Sequence, residues 1–377
     1  MKKSSLRWVP ALAVPAVVIA GAVAIPTMAN ADVTLPHKSA AGIVAFAEKS
    51  GSTAFTGSIT ETANLGLPDV SSLGSMGGSK SGTLQSTLSQ LTGTHKAKVF
   101  VDGMAKQRVQ TLDNLRETDV VRNGSSVWTY DSSKQTATRM TLPSKSARID
   151  TGVGATPLPN AATLTPTEAA KKALDAIGSY TQVTVSDNVR VAGQKAYQIT
   201  LTPKNDQATL VGSVTLAVDG KTGVPLRVVV KAKGQADPAF SVAFTSIDYS
   251  TPSASTFRFT PPAGTKVQQV KNPVRSSHPM HPGALTQKGA AAKARDLASK
   301  PVVSGSGWST IVSAQVPAKA LTSTSTGMLD KVLTRVAGGR ILQTALVSVY
   351  LTDDGHVYVG SVEASALEAA ASAASQE

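Results

Sequence analysis

Between residues 94 and 142 large apolar side chains recur two apart, with Lys, Arg, Gln or Thr between them. Val99 and Val101, Trp128 and Tyr130, and Met140 and Leu142 are such pairs. A period of two is the signature of strands that bury one face and wet the other. Turn chemistry punctuates the pattern at Asp102-Gly103, Asn123-Gly124 and Ser132-Ser133. Asn-Gly suits a type I′ hairpin, because both central residues need positive φ. The segment is therefore predicted to be an antiparallel meander. The alternation resumes in 181–187, 195–203, 210–220, 224–234 and 238–250. Val214, Leu216 and Val218 share one face, as do Leu226, Val228 and Val230, and Phe240, Val242 and Phe244 continue it. With a first strand over 53–63 that contains Phe55, the chain reads as about ten strands against two helices.

Helical periods are few. Ala41, Val44, Ala45 and Glu48 recur at helical spacing in 37–50, with Gly51 as a stop. In 165–178 Thr165, Pro166 and Glu168 form a capping box ahead of a stripe of Ala169, Ala170, Ala173, Leu174 and Ile177, and Gly178 ends it. Residues 64–92 are rich in Ser, Gly and Thr yet hold Leu73, Met76, Leu84, Leu88 and Leu91. They read as a flap with something apolar to cover, or as an insertion without structure. Residues 265–307 carry Lys266, Lys271, Arg275, Lys288, Lys293, Arg295 and Lys300 against Asp296 alone, which marks a basic flexible linker. Order returns over 308–377 as a small α/β extension: strands at 308–316 and 342–362, the latter a hairpin about Asp354-Gly355. Residues 318–337 are expected to be helical, and the Ala-rich tail is expected to fray.

The N-terminus adds an address. Lys2, Lys3 and Arg7 precede an apolar run from Val9 to Ile25, and Ala29-x-Ala31 follows. That order reads as a secretory signal over 1–31, cleaved before Asp32. The alternative is an uncleaved N-terminal membrane anchor, against which Pro10, Pro15 and Pro26 speak. Removing three basic residues takes the net charge from +13 to +10 (13 − 3). There is no cysteine, so neither disulfides nor thiol chemistry is available, and burial alone must hold the fold.

Candidate chemistry is sparse. Of five histidines, His278 and His281 lie in the linker without further ligands, and His95 and His356 fall on exposed strand positions. No G-x-S-x-G, H-E-x-x-H, P-loop or G-x-G-x-x-G motif occurs, and no Ser-x-x-Lys accompanies Lys221-Thr222-Gly223. Glu61, Glu117, Asp119 and Asp131 stand in strand and turn text, and nothing selects a pair of them. The reading is a protein that is not an enzyme and has no metal or cofactor. Basic residues lie in the linker and on wet strand faces, without the stacking aromatics of a nucleic-acid reader, so nucleic acid is not an expected partner. Anionic envelope surfaces are the alternative counter-charge, and membrane-surface association is the alternative expectation.

The runs "FTGSITETANLGLP", "RETDVVRNGSSVWTYD", "LTPTEAAKKALDAI", "LVGSVTLAVDGKTGVPLRV" and "AFSVAFTSIDYSTPSASTFRFTPPAG" resemble exported actinobacterial proteins of the LolA-like superfamily. The resemblance covers roughly 35–265, with "LQTALVSVYLTDDGHVYVG" similar to a C-terminal extension of that subgroup. It implies an α+β fold: a curled antiparallel sheet forming a half-open barrel capped by helices, as a domain over 32–264. It also implies an apolar cavity that shields the acyl chains of a lipid or lipidated protein; with the signal segment, the protein is expected to be extracytoplasmic, and it is expected to be a monomer. The expected lining is Phe55, Val99, Val101, Val109 and Val120, then Trp128, Tyr130 and Met140, then Leu201, Val214, Leu216, Val228, Phe240 and Phe244. Leu73, Met76, Leu84, Leu88 and Leu91 form the expected lid. The alternative is an envelope regulatory or sensor module that engages an anti-sigma factor or other membrane protein.

Overall fold

The computed structural model describes residues 33–67, 92–113, 116–142, 165–168, 170, 178, 180–204, 208–270, 302–315 and 333–375. The expected signal segment and lid fall outside them. An N-terminal arm leads into helix α1 (Ala40–Glu48), whose N-cap Ser39 accepts from the Gly42 N–H. Then come β1 (Phe55–Ala63), β2 (Gly93–Val101), β3 (Lys106–Asp113), β4 (Arg116–Asn123), β5 (Ser126–Asp131) and β6 (Thr136–Thr141). The second run is β7 (Thr181–Val191), β8 (Gln194–Pro203), β9 (Val211–Asp219), β10 (Pro225–Ala232), β11 (Pro238–Asp248) and β12 (Lys266–Val270). All twelve form one sheet in the order β12-β6-β5-β4-β3-β2-β1-β11-β10-β9-β8-β7. Only the edge pair β12–β6 is parallel.

The sheet bends in one half and not in the other. Register shifts interrupt β1–β11, β10–β11, β9–β10 and β7–β8. The pairings from β1 through β6 run without one. Bulges bend and twist a strand, and the effect is visible. Four places apart in the order, β7 and β11 would stand about 19 Å apart in a flat sheet, yet their Cα atoms come within 8 Å. Strands β11 to β7 thus form a roll, and β2 to β6 a flatter wing, with β1 as the joint.

Large apolar side chains fill the roll. Tyr197, Ile199, Leu201, Leu216, Val228, Val242 and Phe244 form one buried cluster with Ile43 and Ala47 of α1. The arm and α1 close one end: Tyr197 Oη donates to Pro36 O (2.8 Å), and Gly223, at φ 79°, meets the Phe46 carbonyl where a Cβ would clash. Near the capping box, the Thr165 N–H donates to Glu168 Oε2 (2.9 Å) and the Glu168 N–H to Thr165 Oγ1 (3.2 Å), as the spacing predicts. Residues 166–168 and 170 are helical, and Ala170 joins the core.

A second sheet of six strands closes the other end. It comprises β13 (Val302–Ser304), β14 (Ile311–Gln315), β15 (Thr334–Val336), β16 (Gly339–Gln343), β17 (Ser348–Thr352) and β18 (His356–Gly360). The Leu210 N–H donates to Ser361 O and the Ala345 N–H to Leu65 O, both at 2.8 Å. Trp308 Nε1 donates to Thr181 Oγ1 (2.9 Å) beside the β7 edge. Trp308 and Leu346 pack on the main core.

Three expectations for the C-terminal third change here. Residues 334–336 are a strand, not part of a helix, because they pair with β16. The tail does not fray: it forms helix α2 (Ala364–Ala374), in which Leu367 and Ala371, one turn apart, bury against Ile341, Tyr350 and Tyr358. The expected linker cedes 266–270 and 302–304 to strands β12 and β13, both exposed, which form by main-chain pairing at sheet edges rather than by burial. The rest of it lies outside the described residues.

At the joint, a Cβ on Gly57 would stand 2.6 Å from the Phe244 ring and 2.8 Å from the Ser246 carbonyl. Phe244 lies across β1 there, edge-on to Phe55 with centroids 5.6 Å apart. Gly57→Ala is therefore expected to lower unfolding stability by about 2 kcal/mol, the scale of overpacking in a tight core, measured by urea denaturation. Gly103→Ala, where a Cβ meets nothing within 4 Å at φ 72°, is expected to suffer only the smaller backbone penalty.

Candidate functional site

Residues opposite one another in antiparallel strands share a face, so register decides what looks inward. On the wing three rows run across the inner face. Phe55, Val101, Gln107, Arg122, Val127 and Met140 form the first, and Gly57, Val99, Val109, Val120, Thr129 and Thr138 the second. Ile59, Ala97, Thr111, Thr118, Asp131 and Thr136 form the third. Val101, Val109, Val120, Thr129, Thr138 and Met140 are only half-buried. The middle of this face is an apolar strip that still has surface to offer.

The roll offers much less. Leu201 and Leu216 have no accessible surface, and Val214, Val228 and Phe244 have 5% or less. A residue without accessible surface borders no void that admits even water, so Leu201 and Leu216 are core, and Val214, Val228 and Phe244 are buried in the same cluster. Phe240 is partly buried against them. Phe55 and Val99 are buried at the joint between roll and wing. Of the expected lining residues, Val101, Val109 and Val120 keep surface on the adjacent strands β2, β3 and β4, and Met140 keeps surface two strands further on, on β6.

Trp128 and Tyr130 face the other way. The Asn123-Gly124 hairpin sets Trp128 opposite Val121 and Tyr130 opposite Asp119, while Val120 pairs with Thr129. Two of the few aromatics thus sit on the outer face, where residues 249–265 cross the wing from β11 to β12 as a strap. The Phe259 ring packs on Trp128 at 5.5 Å and on Tyr130 at 5.8 Å, and the Arg139 guanidinium lies over the Trp128 ring at 5.6 Å. Strand alternation alone set these two beside the valines of the next strand; only the pairing register, which the sequence does not print, separates them. The signal missed was the Phe257-x-Phe259 spacing ahead of Pro261-Pro262.

An ion pair lies beneath the strap. Arg108 Nη2 and Nε reach Asp119 Oδ2 and Oδ1 at 2.5 and 3.0 Å, and Arg108 Nη1 donates to Thr256 O at 3.2 Å. Burial pushes the Asp119 carboxyl above the usual carboxylate range despite Arg108. At the edge of the inner face Asp131 accepts from Arg116 at 2.5 and 3.2 Å and from the Ser133 hydroxyl at 2.6 Å. There burial works upward too, but Ser133 and Arg116 outweigh it and hold the carboxyl below its ordinary value. Among the described residues no group of three or more His, Cys, Asp or Glu is placed to hold a metal ion, and no helix is long and apolar enough to cross a membrane.

A family model described as "Predicted periplasmic protein (DUF2092)" matches residues 79–270, just over half of the 377-residue chain. The chain belongs to the DUF2092 family. The DUF2092 match ends on the last residue of β12, so it takes in the wing strands, the strap and the roll. As a DUF2092 member the protein is extracytoplasmic. No curated protein matches it. Among solved structures it is similar to the Pseudomonas aeruginosa MucA/MucB complex, at 16% identity and TM-score 0.42, over 88% of this chain and 96% of that one. It is also similar to a LolA superfamily protein from Nitrosomonas europaea, at 10% identity and TM-score 0.24, over 59% of this chain and 99% of that one.

Each acid carries its own prediction. Asp119→Ala leaves Arg108 uncompensated and is expected to cost about 3–5 kcal/mol, most of it regained in Arg108→Met/Asp119→Leu. Asp131 has a depressed folded pKa, so its contribution is present above its ordinary value of 3.8 and is lost as pH falls through the folded value. Asp131→Asn is therefore expected to be less stable than wild type at pH 7, with the gap closing below pH 3.8 in thermal melts taken across pH.

Proposed function

We propose that this is an extracytoplasmic binding protein that holds an acyl chain, of a lipid or of a lipidated protein, against the inner face of the wing. The observation that carries the reading is the contrast between two halves of one sheet. The large side chains of the roll bury one another, whereas Val101, Val109 and Val120, on three adjacent strands of the wing, stay half-buried. Covering a methylene is worth about 0.8 kcal/mol. A long chain laid on one open face, covered on one side, thus gains on the order of 5 kcal/mol before ordering costs. No catalytic constellation is needed for that, only a strip of the right width beside a rigid core.

The test is steric. Val109→Phe and Val120→Phe add bulk where surface is already free, so the fold should tolerate them, and each is expected to weaken binding of a fluorescent fatty acid at least about tenfold. Phe259→Ala, on the outer face, is expected to leave that affinity unchanged. Equal loss from both faces, or none from either, contradicts the proposal. Recovery of one membrane protein by the valine variants, with no lipid bound by wild type, favours the regulatory alternative instead.

A further inference from the structure

Next to Val120 on the inner face of the wing, two residues further along β4, stands Arg122. It faces Gln107 across one ladder and Val127 across the other. Val127 is 3% exposed, Arg122 is half-buried and Gln107 is exposed. The guanidinium therefore belongs to the border where apolar surface gives way to water, and a charge pair there is screened less than one in open solvent. Its Nε donates to the Gly124 carbonyl of its own hairpin at 3.3 Å. Among the described residues Arg122 forms no ion pair, and neither terminal nitrogen has a partner. The nearby acids are taken: Asp102 in the β2–β3 turn holds Lys106 at 2.8 Å, and Asp131, two rows away, is buried against Arg116 at 2.5 Å and Lys134 at 3.4 Å.

On the footing of the proposed acyl-binding role, we infer that Arg122 anchors the head of the bound amphiphile and that this head carries an oxyanion, a phosphodiester or a carboxylate. The tail lies over Val109 and Val120, and the head reaches the guanidinium one row nearer the hairpin turn, roughly 7 Å along the strand. With Nε held by Gly124, the two terminal nitrogens present the fork that matches two oxygens of such a head. The Gln107 amide, across the ladder, is placed to donate to the same group. An uncharged head gains only ordinary hydrogen bonds here, and an ammonium head meets a like charge. The valines thus set how tightly a chain is held, and Arg122 sets which chains are preferred.

The experiment compares palmitoyl lysophosphatidylglycerol with monopalmitoylglycerol, which lacks only the phosphodiester, as competitors of a bound fluorescent hydrocarbon at pH 7. The anion is expected to bind at least about tenfold tighter, the scale of one charge-assisted pair, and inorganic phosphate, without a tail, is expected to displace nothing. In Arg122→Gln the preference is expected to fall several-fold while affinity for monopalmitoylglycerol stays within about twofold of wild type; Arg122→Lys, which keeps the charge without the fork, is expected to lie between. Arg139→Gln removes the same charge from the outer face and is expected to leave the preference intact. Equal binding of the two amphiphiles by wild type, a preference unchanged in Arg122→Gln, or an equal loss in Arg139→Gln overturns the inference and leaves the acyl-binding role standing. Absence of binding by both amphiphiles overturns that role and the inference with it.

Discussion

The arrangement depends on where one strand bends. β1 is the joint of a twelve-stranded sheet, and at Gly57 the Phe244 ring lies across its backbone closer than any side chain would permit. Immediately beyond, the register with β11 shifts between Ser58 and Ile59. A glycine and a bulge in adjacent positions turn the sheet sharply on one side of β1. The pairing with β2, on the other side, is regular. From that local asymmetry follow a roll that seals its interior and a wing that cannot.

The wing needs support because its inner face is incompletely covered. It obtains that support from behind. The strap crosses the outer face, buries Phe257 and Val121, and is fixed by Arg108 to the Thr256 carbonyl and by Phe259 to Trp128 and Tyr130. The strap then adds β12 in parallel beside β6, where the Lys266 N–H donates to Gln135 O at 2.8 Å. A sheet packed on one side can leave its other side available without losing its shape. The second sheet and α1 do the same for the roll by stopping its two ends.

Much of this was legible in the sequence. Alternation and turn residues located β1 to β11 closely, and the Thr165–Glu168 capping box appears as the spacing requires. What alternation cannot give is register. It fixes which residues of a strand share a face, and not which face of the next strand they join. Hence Trp128 and Tyr130 seemed to belong with Val120 and proved to lie behind it. Nor does a buried apolar position announce whether it lines a space or fills one: Leu216 and Val120 read alike, yet only Val120 keeps accessible surface. The tail was misread because its eleven-residue helix is mostly alanine; its order comes from the Tyr350–Tyr358 surface it meets.

The central claim is that the inner face of the wing completes itself with a hydrocarbon chain supplied from outside. Native mass spectrometry of the secreted protein, purified without detergent, tests it most directly. The account predicts a population carrying a mass in the range of a single acylated lipid, lost when Val120 is replaced by Phe and kept when Phe259 is replaced by Ala. Protein that is uniformly bare, and that stays bare after incubation with lipid, would contradict it.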